Sequence, residues 1–357
     1  MKQRLMQLLS KLKSKLNKRL ILYILLGLIA VVIVTVLIAR EIGRRQLYRQ
    51  SYQKALNHSG QNDTDYVWQE GDVSYQDHIY RYNDDILTFL IMGIDKHDKV
   101  FKGEVKDYLD GGQADALFLV VVNPRKEQID LISVNRNTLT DIDMYTKEGV
   151  YDKTLRLQVN LAHGFGDGRE QSCERQVEAV SKLFDNIPIH GYMAVNFDAI
   201  EVINDSVGGV TLEVMPDTAY TSKNLIKNIG KTITLNGKDA FQYVRKRDTK
   251  VFDSAGARVK RQKQYLGEFL KQFKKKTKED ITFPIKLYKQ IEDYVVTNIS
   301  VSEMTYMVTD FYPYKIDGNN MYIMKGTTET VDGFEEFTVD EDAHKQMILE
   351  LFYEQID

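Results

Sequence analysis

The sequence predicts a mixed α/β domain behind one membrane-spanning helix, and three observations lead to this prediction. Short apolar runs that suit buried strands alternate with longer stretches of helical apolar period. The chain has 357 residues, 43% hydrophobic and 28% charged, which is enough to bury a sizeable core. Residues 20–39 form an apolar run without a charged side chain. The alternation implies layers of helix and sheet.

The apolar run at residues 20–39 is predicted to span a membrane as a helix. About 20 residues with a rise of about 1.5 Å each match a hydrocarbon core of ~30 Å. A cleaved signal peptide is the alternative, but its apolar core is usually only about 7–15 residues long. Seven basic residues precede the run and four arginines follow it closely. This bias predicts a single-pass protein of the cell membrane, with residues 1–19 in the cytoplasm and residues 40–357 outside.

After the span, residues 40–84 are polar and have no sustained apolar period, which predicts an extracellular stalk or linker. The remaining residues, 85–357, are predicted to form one domain. Its strands are expected at residues 86–92, 116–122, 128–134, 192–197 and 210–214. The short polar turn between the second and third of these runs indicates a hairpin. Helices are expected at residues 170–184, 254–276, 301–311 and 342–353, with Ser254 as a helix cap.

Composition limits the chemistry further. Cys173 is the only cysteine, and it lies on the apolar stripe of the helix at 170–184, so we expect a buried small side chain and no intrachain disulfide. The net charge of −3 mixes both signs and gives no reason to expect a nucleic-acid partner. The sequence contains neither a Walker loop nor a Gly-rich dinucleotide fingerprint. Phosphate binding would therefore depend on arginines.

Three aspartates stand where the predicted sheet would place a site. Asp95 follows the first strand, Asp115 precedes the second, and Asp253 lies in a loop that enters a helix. Converging carboxylates suit Mg²⁺, which takes one or two of them and completes its shell with phosphate oxygens and water. Taken singly, an aspartate at such a position is more often a turn or cap residue than a metal ligand.

A basic group accompanies these acids. Arg136 follows a strand, Arg245 and Arg247 alternate on a predicted extended face, and Arg258 and Gln262 lie one helical turn apart. Guanidinium groups bind phosphate bidentately and stay charged, so several of them around one pocket would suit a diphosphate. The alternative is a set of surface ion pairs.

The sequence resembles the LytR-CpsA-Psr (LCP) family over about residues 86–357. The resemblance rests on segments that occur in order, namely 91–95 (IMGID), 114–118 (ADALF), 133–138 (SVNRNT), 195–198 (VNFD), 207–210 (VGGV), 235–247 (LNGKDAFQYVRKR), 258–262 (RVKRQ) and 296–300 (VTNIS). Members of this family are membrane-anchored enzymes that attach glycopolymers, such as teichoic acid or capsule polysaccharide, to the bacterial cell wall.

The resemblance implies a three-layer α/β/α sandwich with an apolar pocket for a polyprenyl tail. It implies transfer of a glycan from a polyprenyl-pyrophosphate carrier to a hydroxyl of peptidoglycan, with polyprenyl phosphate leaving. Asp95 and Asp115 match the acids that hold Mg²⁺. Asp253 matches a loop acid and is a candidate general base. The residues matching those that grip the pyrophosphate are Arg136, Arg245, Arg247, Arg258 and Gln262.

The chain departs from the family pattern at two motifs. It has Gln113, Ala114 and Ala116 around Asp115 where the family usually has Arg-Ser-Asp-Thr, and Asn137 where the family usually has an aspartate. Retained transferase activity is the leading hypothesis. The alternatives are a non-catalytic lipid-carrier binding or scaffold protein, a pyrophosphatase that uses water as acceptor, and a regulator of the transcriptional-attenuator type. Residues 1–19 are too few for a helix-turn-helix module, which argues against direct DNA binding.

Overall fold

A computed structural model describes residues 2–49, 71–97, 100, 111–146, 148–216, 221–248, 250–251, 254–316 and 320–356. The chain forms two compact units. The first comprises Met1–Arg49 with Ser300–Asp310, and the second comprises Gln50–Ile299 with Phe311–Asp357.

The α-helices of the described residues are α1 Lys2–Arg49, α2 Glu170–Leu183, α3 Ala199–Ser206, α4 Lys223–Lys227, α5 Gly237–Arg245, α6 Ser254–Glu279, α7 Phe283–Ile291, α8 Val301–Phe311 and α9 Glu341–Phe352. Two 3-10 helices span Val159–Phe165 and Glu292–Tyr294. The strands are β1 Asp72–Tyr75, β2 His78–Tyr82, β3 Leu87–Ile94, β4 Ala114–Asn123, β5 Gln128–Val134, β6 Leu139–Tyr145, β7 Tyr151–Gln158, β8 Gly191–Asn196, β9 Thr211–Glu213, β10 Thr232–Thr234, β11 Val295–Thr297, β12 Met321–Ile323, β13 Gly326–Val331, β14 Phe334–Val339 and β15 Tyr353–Gln355.

In the first unit, α1 contains a segment long and apolar enough to cross a membrane. Its most apolar window, within Leu22–Arg49, has a mean hydropathy of 3.1, and none of that window is buried inside the protein. A helix that is apolar on every side and unburied suits a lipid surrounding. Length and composition are therefore consistent with a single-pass membrane anchor.

The last turns of α1 pack against α8 within the same unit. Arg40 donates to both carboxylate oxygens of Asp310, at 2.6 Å each. The backbones approach closely at Gly43, where an added Cβ would overlap the carbonyl group of Ser302. A bidentate ion pair and a glycine contact thus fix this part of α1 on α8.

The core of the second unit is a six-stranded sheet in the order β11-β8-β3-β4-β5-β12. β3 pairs in parallel with β8, and β5 in parallel with β12, whereas β4 runs antiparallel between β3 and β5. The β4–β5 pair is the hairpin that the sequence predicts. Because β3 and β5 run in the same direction, their carboxyl ends and the amino end of β4 share one edge of the sheet.

Helices cover both faces of this sheet. Along β8, Tyr192 and Ala194 belong to the core that also includes residues of α2 and α9. Their neighbours Met193 and Val195 pack instead on a cluster from α3 and α7. Alternate residues of one strand therefore contact different helical layers. The mixed α/β fold with a central sheet between helices is confirmed, and Cys173 is buried in α2 as expected.

The region assigned to a polar stalk differs from the prediction at both of its ends. The helix α1 continues to Arg49, ten residues past the predicted end of the span. Nearer the domain, β1 and β2 form a three-stranded sheet with β15, and Val73 and Tyr82 are buried in the main core. The alternating, partly aromatic pattern of β1 and β2 is too short to register as an apolar period. The middle of the assigned stalk, residues 50–70, lies outside the described residues.

Candidate active site

The shared edge of the sheet brings three of the candidate residues together. Asp95 directly follows β3, Arg136 follows β5 by two residues, and Asp115 is the second residue of β4. In the β3–β4 register, Gly93 pairs with Ala116 and Ile94 pairs with Ala114, so Asp115 is the extra residue of a β-bulge. Bulges re-aim a side chain relative to the regular pleat. This one gives Asp115 its place among the arginines.

Asp115 contacts two arginines from distant parts of the chain. Its Oδ1 accepts from Nη1 of Arg136 in a close ion pair, and its Oδ2 lies 3.8 Å from Nη1 of Arg258. Arg258 reaches the site from the first turns of α6, and its side chain is only 6% exposed. The sequence-predicted members Asp115, Arg136 and Arg258 thus form one largely buried cluster.

Burial and mutual repulsion destabilise the charged forms of both arginines. Burial lowers the pKa of Arg136 to about 10, and nearby Arg258 and Arg247 contribute to the decrease. Burial likewise lowers the pKa of Arg258 to about 10, with Arg247 and Arg261 adding to the effect. Both guanidiniums nevertheless remain charged at neutral pH. A cluster of buried cations is stabilised by an anion, and a diphosphate matches their bidentate donors.

Arg245 contacts Asp95, whereas Arg136 and Arg258 contact Asp115. Arg245 is the last residue of α5 and donates from Nη2 to Oδ1 of Asp95 at 3.0 Å. Its guanidinium also lies over the ring of Phe197, 4.6 Å from the centroid. His97 connects Arg245 to Asp198 through contacts of 3.2 and 3.0 Å from its two ring nitrogens. These contacts hold Arg245 beside Asp95 in the more exposed part of the site.

The prediction that Arg245 and Arg247 share one extended face is wrong. Arg245 has helical geometry at the end of α5, and the backbone becomes extended only at Lys246. Arg247 therefore points elsewhere and reaches Oε2 of Glu335 at 3.2 Å and Oγ of Ser254 at 3.4 Å. The two arginines consequently enter the site from different directions.

Two neighbouring side chains of α6 bind the backbone at the end of α5. Gln262 donates from Nε2 to the carbonyl oxygen of Val244 at 3.1 Å. Arg261, only 1% exposed, donates to the carbonyl oxygens of Tyr243 and Lys246. Helix termini leave carbonyl groups without intrahelical partners, and these side chains supply the donors. Gln262 therefore supports the segment that carries Arg245 and Arg247.

Sequence reasoning missed Arg261, His97 and Glu335. Arg261 stands inside a motif segment, and its helical spacing from the apolar side chains of Tyr265 and Phe269 was the available signal. His97 lies two residues after Asp95, and this closeness in sequence was the available signal that it belongs to the site. Glu335 had no local signal, since its place depends on a hairpin far along the chain. Asp253 lies outside the described residues.

The carboxylates fit the donor chemistry of a hard cation. Asp95 and Asp115 offer oxygen ligands from adjacent strand ends. Among the residues that the structure describes, no group of three or more histidine, cysteine or acidic side chains could hold a metal by itself. Two carboxylates suit an ion that takes the rest of its shell from phosphate oxygens and water.

A central sheet lies between helices and carries arginines and two carboxylates at one edge, so the second unit is a mixed α/β domain with a site rich in arginine. The model of the LytR_cpsA_psr family matches residues 46–352. The chain belongs to this family.

Curated relatives include the polyisoprenyl-teichoic acid-peptidoglycan teichoic acid transferase TagU of Bacillus subtilis strain 168. It is 28% identical over 271 residues, which cover 75% of this chain and 77% of TagU. TagV from the same organism, which carries the same transferase name, is 26% identical over 255 residues, covering 68% of this chain and 59% of TagV.

Solved structures share the fold. The crystal structure of Bacillus subtilis TagV aligns with a TM-score of 0.57 at 22% identity and covers 75% of this chain and 96% of that one. A structure described as TagT bound to LI-WTA aligns with a TM-score of 0.54 at 21% identity, covering 75% and 89% of the two chains.

Proposed function

We propose that this protein is a membrane-anchored transferase that attaches an anionic or capsular glycopolymer from a polyprenyl-pyrophosphate carrier to peptidoglycan. The observation that carries the proposal is the buried cluster of Asp115, Arg136 and Arg258, extended by Arg245 and Arg247 at the same edge of the sheet. Family membership and the transferase names of TagU and TagV support it.

In the proposed reaction, an acceptor hydroxyl of peptidoglycan attacks the phosphorus that bears the glycan. A new P–O bond forms, the bond from that phosphorus to the bridging oxygen breaks, and polyprenyl phosphate leaves with the bridging oxygen. The hydroxyl proton passes to a base, for which Asp253 remains the candidate. Negative charge grows on the leaving phosphate, and the arginines stabilise it through charge-assisted hydrogen bonds.

Arg136 and Arg258 are suited to this role because they are already desolvated. Their side chains are 18% and 6% exposed, so their charges act in a medium of low polarity and are strongly felt by a bound phosphate. Arg245 is more accessible, and we assign it to the entry side of the diphosphate. Gln262 acts through the backbone of α5.

We further propose that Mg²⁺ binds to Asp95 and Asp115 together with the pyrophosphate. When bound, the ion would supply charge neutralisation at the phosphoryl oxygens. In the structure, Asp95 pairs with Arg245 and Asp115 pairs with Arg136. A bound pyrophosphate would replace the carboxylates as the anionic partner of the arginines, and Mg²⁺ would replace the arginines as the cationic partner of the carboxylates.

The same proposal places residues 1–19 in the cytoplasm and the domain outside the membrane, following the bias of basic residues.

Turnover by the purified full chain in detergent tests the proposal. The substrate is a polyprenyl-pyrophosphate-linked saccharide, and a peptidoglycan oligomer is the acceptor. We expect a glycan-phosphate adduct of the oligomer and free polyprenyl phosphate. Cleavage that is equally fast without the oligomer would replace the transferase by a pyrophosphatase. Tight binding of the lipid without any cleavage would indicate a scaffold protein.

A further inference from the structure

We propose that Glu335 is a positioning residue of the phosphate site, which it serves by joining Arg247 to Arg136 through the side chain of Asn137. Asn137 and Glu335 then form a matched pair, in which the amide of Asn137 donates to the carboxylate of Glu335 and that carboxylate keeps its charge for Arg247. This inference rests on the proposed function, since it assigns a role to residues that surround the proposed pyrophosphate site.

A continuous set of contacts connects the two arginines. Oε2 of Glu335 accepts from Nη1 of Arg247 at 3.2 Å and from Nδ2 of Asn137 at 3.3 Å. The other end of the amide, Oδ1 of Asn137, accepts from Nε of Arg136 at 3.1 Å. Arg136 in turn pairs with Asp115. Glu335 therefore connects the arginine that follows α5 with the arginine that follows β5.

The backbone around Glu335 is fixed to the same part of the sheet. The amide of Phe337 donates to the carbonyl oxygen of Asn137 at 2.9 Å, and Thr138 and Phe337 form an isolated parallel bridge. On the other side, Gln158 donates from Nε2 to the carbonyl oxygen of Glu335 at 2.7 Å. Phe337 is buried in the main core. The β13–β14 hairpin is thus held where it delivers one carboxylate into the site.

Asparagine is the residue type that this arrangement needs at position 137. An amide has both a donor and an acceptor, so it can donate to Glu335 and accept from Arg136 at the same time. An aspartate in its place could accept from Arg136 but could not donate to Glu335. Two carboxylates would then share a contact of 3.3 Å and repel each other.

Glu335 is also suited to hold the guanidinium of Arg247 in place before a substrate binds. Its side chain is 18% exposed, and that of Arg247 is 19% exposed, so their ion pair is shielded from water. Together with Asp115, Glu335 gives the arginine cluster two fixed negative partners. These contacts fix Arg136 and Arg247 relative to each other before a substrate binds.

A double-mutant cycle on the full chain in detergent tests this pairing. The variants are Asn137→Asp, Glu335→Gln and the double variant, and the probe is inorganic pyrophosphate titrated by calorimetry. Each single variant should weaken pyrophosphate binding about tenfold. The double variant should return to within about threefold of the original protein, because the introduced amide can donate to the introduced carboxylate and still accept from Arg247. Glu329→Gln, on an exposed carboxylate of the same hairpin, is the matched control and should bind normally.

Transfer kinetics and melting temperatures distinguish positioning from a purely structural role. Positioning predicts a rise in KM or a fall in kcat in the single variants at unchanged Tm, with rescue in the double variant. Glu335→Asp shortens the side chain by one methylene and should change KM or kcat as Glu335→Gln does, at unchanged Tm. This variant tests the role of Glu335 even if Asn137→Asp fails to fold.

Additive losses in the cycle, with pyrophosphate still bound by the original protein, would overturn the pairing and leave the proposed function standing. Pyrophosphate binding with intact coupling but without transfer would overturn the proposed function alone. An original protein that does not bind pyrophosphate would overturn both.

Discussion

The guanidinium of Arg261 donates to the carbonyl oxygen of Tyr243 at 2.8 Å, which ties the first half of α6 to the end of α5. The same guanidinium reaches the carbonyl oxygen of Lys246, so it binds on both sides of Arg245. Burying a charged guanidinium is costly unless its donors are well satisfied. Here it supplies hydrogen-bond donors to a helix terminus at the point where two site arginines emerge.

Replacing Arg261 by methionine should destabilise the protein. Methionine fills a similar volume but leaves buried carbonyl groups without donors, and each such group costs about 1–3 kcal/mol. We expect the free energy of unfolding, measured by urea denaturation, to fall by about 3 kcal/mol. Lys260→Met, at an exposed neighbouring position of α6, is the control and should change it little. Equal stability of both variants would mean that water satisfies these carbonyls.

Truncating a site arginine should slow transfer. Arg136→Ala and Arg245→Ala each remove a charge-assisted contact to phosphate, which is worth about 1.5–3 kcal/mol. Initial rates of adduct formation should therefore fall by about 10-fold to 100-fold. Arg156→Ala, on the exposed face of β7, should retain full activity. Unchanged turnover in both site variants would remove these arginines from the site.

Removal of Mg²⁺ should abolish most of the transfer. A chelator added to the assay is expected to lower the rate about 100-fold, and readdition of Mg²⁺ should restore it. Asp95→Asn and Asp115→Asn should raise the Mg²⁺ concentration needed for half-maximal rate. Asp141→Asn, at an exposed position of β6, provides the control. Full activity in the presence of chelator would exclude the proposed metal.

Stability should decrease as the pH falls from about 6.5 to about 4, and two buried histidines contribute to this loss. Burial lowers the pKa of His163 and of His190 to about 4 in the folded protein. Between this value and the ordinary pKa of about 6.5, the unfolded chain binds more protons, so protonation favours unfolding. The contribution of each histidine is present above about pH 6.5 and is lost towards pH 4.

The pH dependence can be assigned with single variants. His163→Gln should flatten the curve of unfolding free energy against pH over this interval, by on the order of 3 kcal/mol. His78→Gln, at an exposed position of β2, should leave its slope unchanged. An equal slope in all three proteins would mean that His163 does not contribute to the loss.

Much of the second unit could be predicted from local sequence patterns. The buried strands β3, β4 and β5 are continuous apolar runs, because both faces of the sheet are covered by helices. The strands β1 and β2 could not be predicted in this way, since they lie at the periphery and bury only part of their side chains. Their strand state depends on β15, which is distant in sequence.

The candidate site likewise contains residues whose positions follow from local sequence and residues whose positions depend on distant parts of the chain. Strand ends meet at an edge wherever the sheet forms, so the approach of Asp115 and Arg136 could be expected from their positions. The directions of Arg245 and Arg247 could not, because they depend on where α5 ends, and this is decided by donors from α6. Glu335 reaches the site through a hairpin whose packing on residues 137 and 138 has no local signature.

The pairing of β15 with β2 has a consequence for the order in which the protein matures. Tyr353 pairs with Tyr82 and Gln355 with Tyr80, so a strand synthesised late joins one of the earliest strands described in the second unit. A ribosome releases the chain from its N-terminus, and about 270 residues must emerge after β2 before this sheet can close. Closure of this sheet therefore waits for nearly the whole second unit to be made, and a chain interrupted before Tyr353 leaves β2 with an unpaired edge.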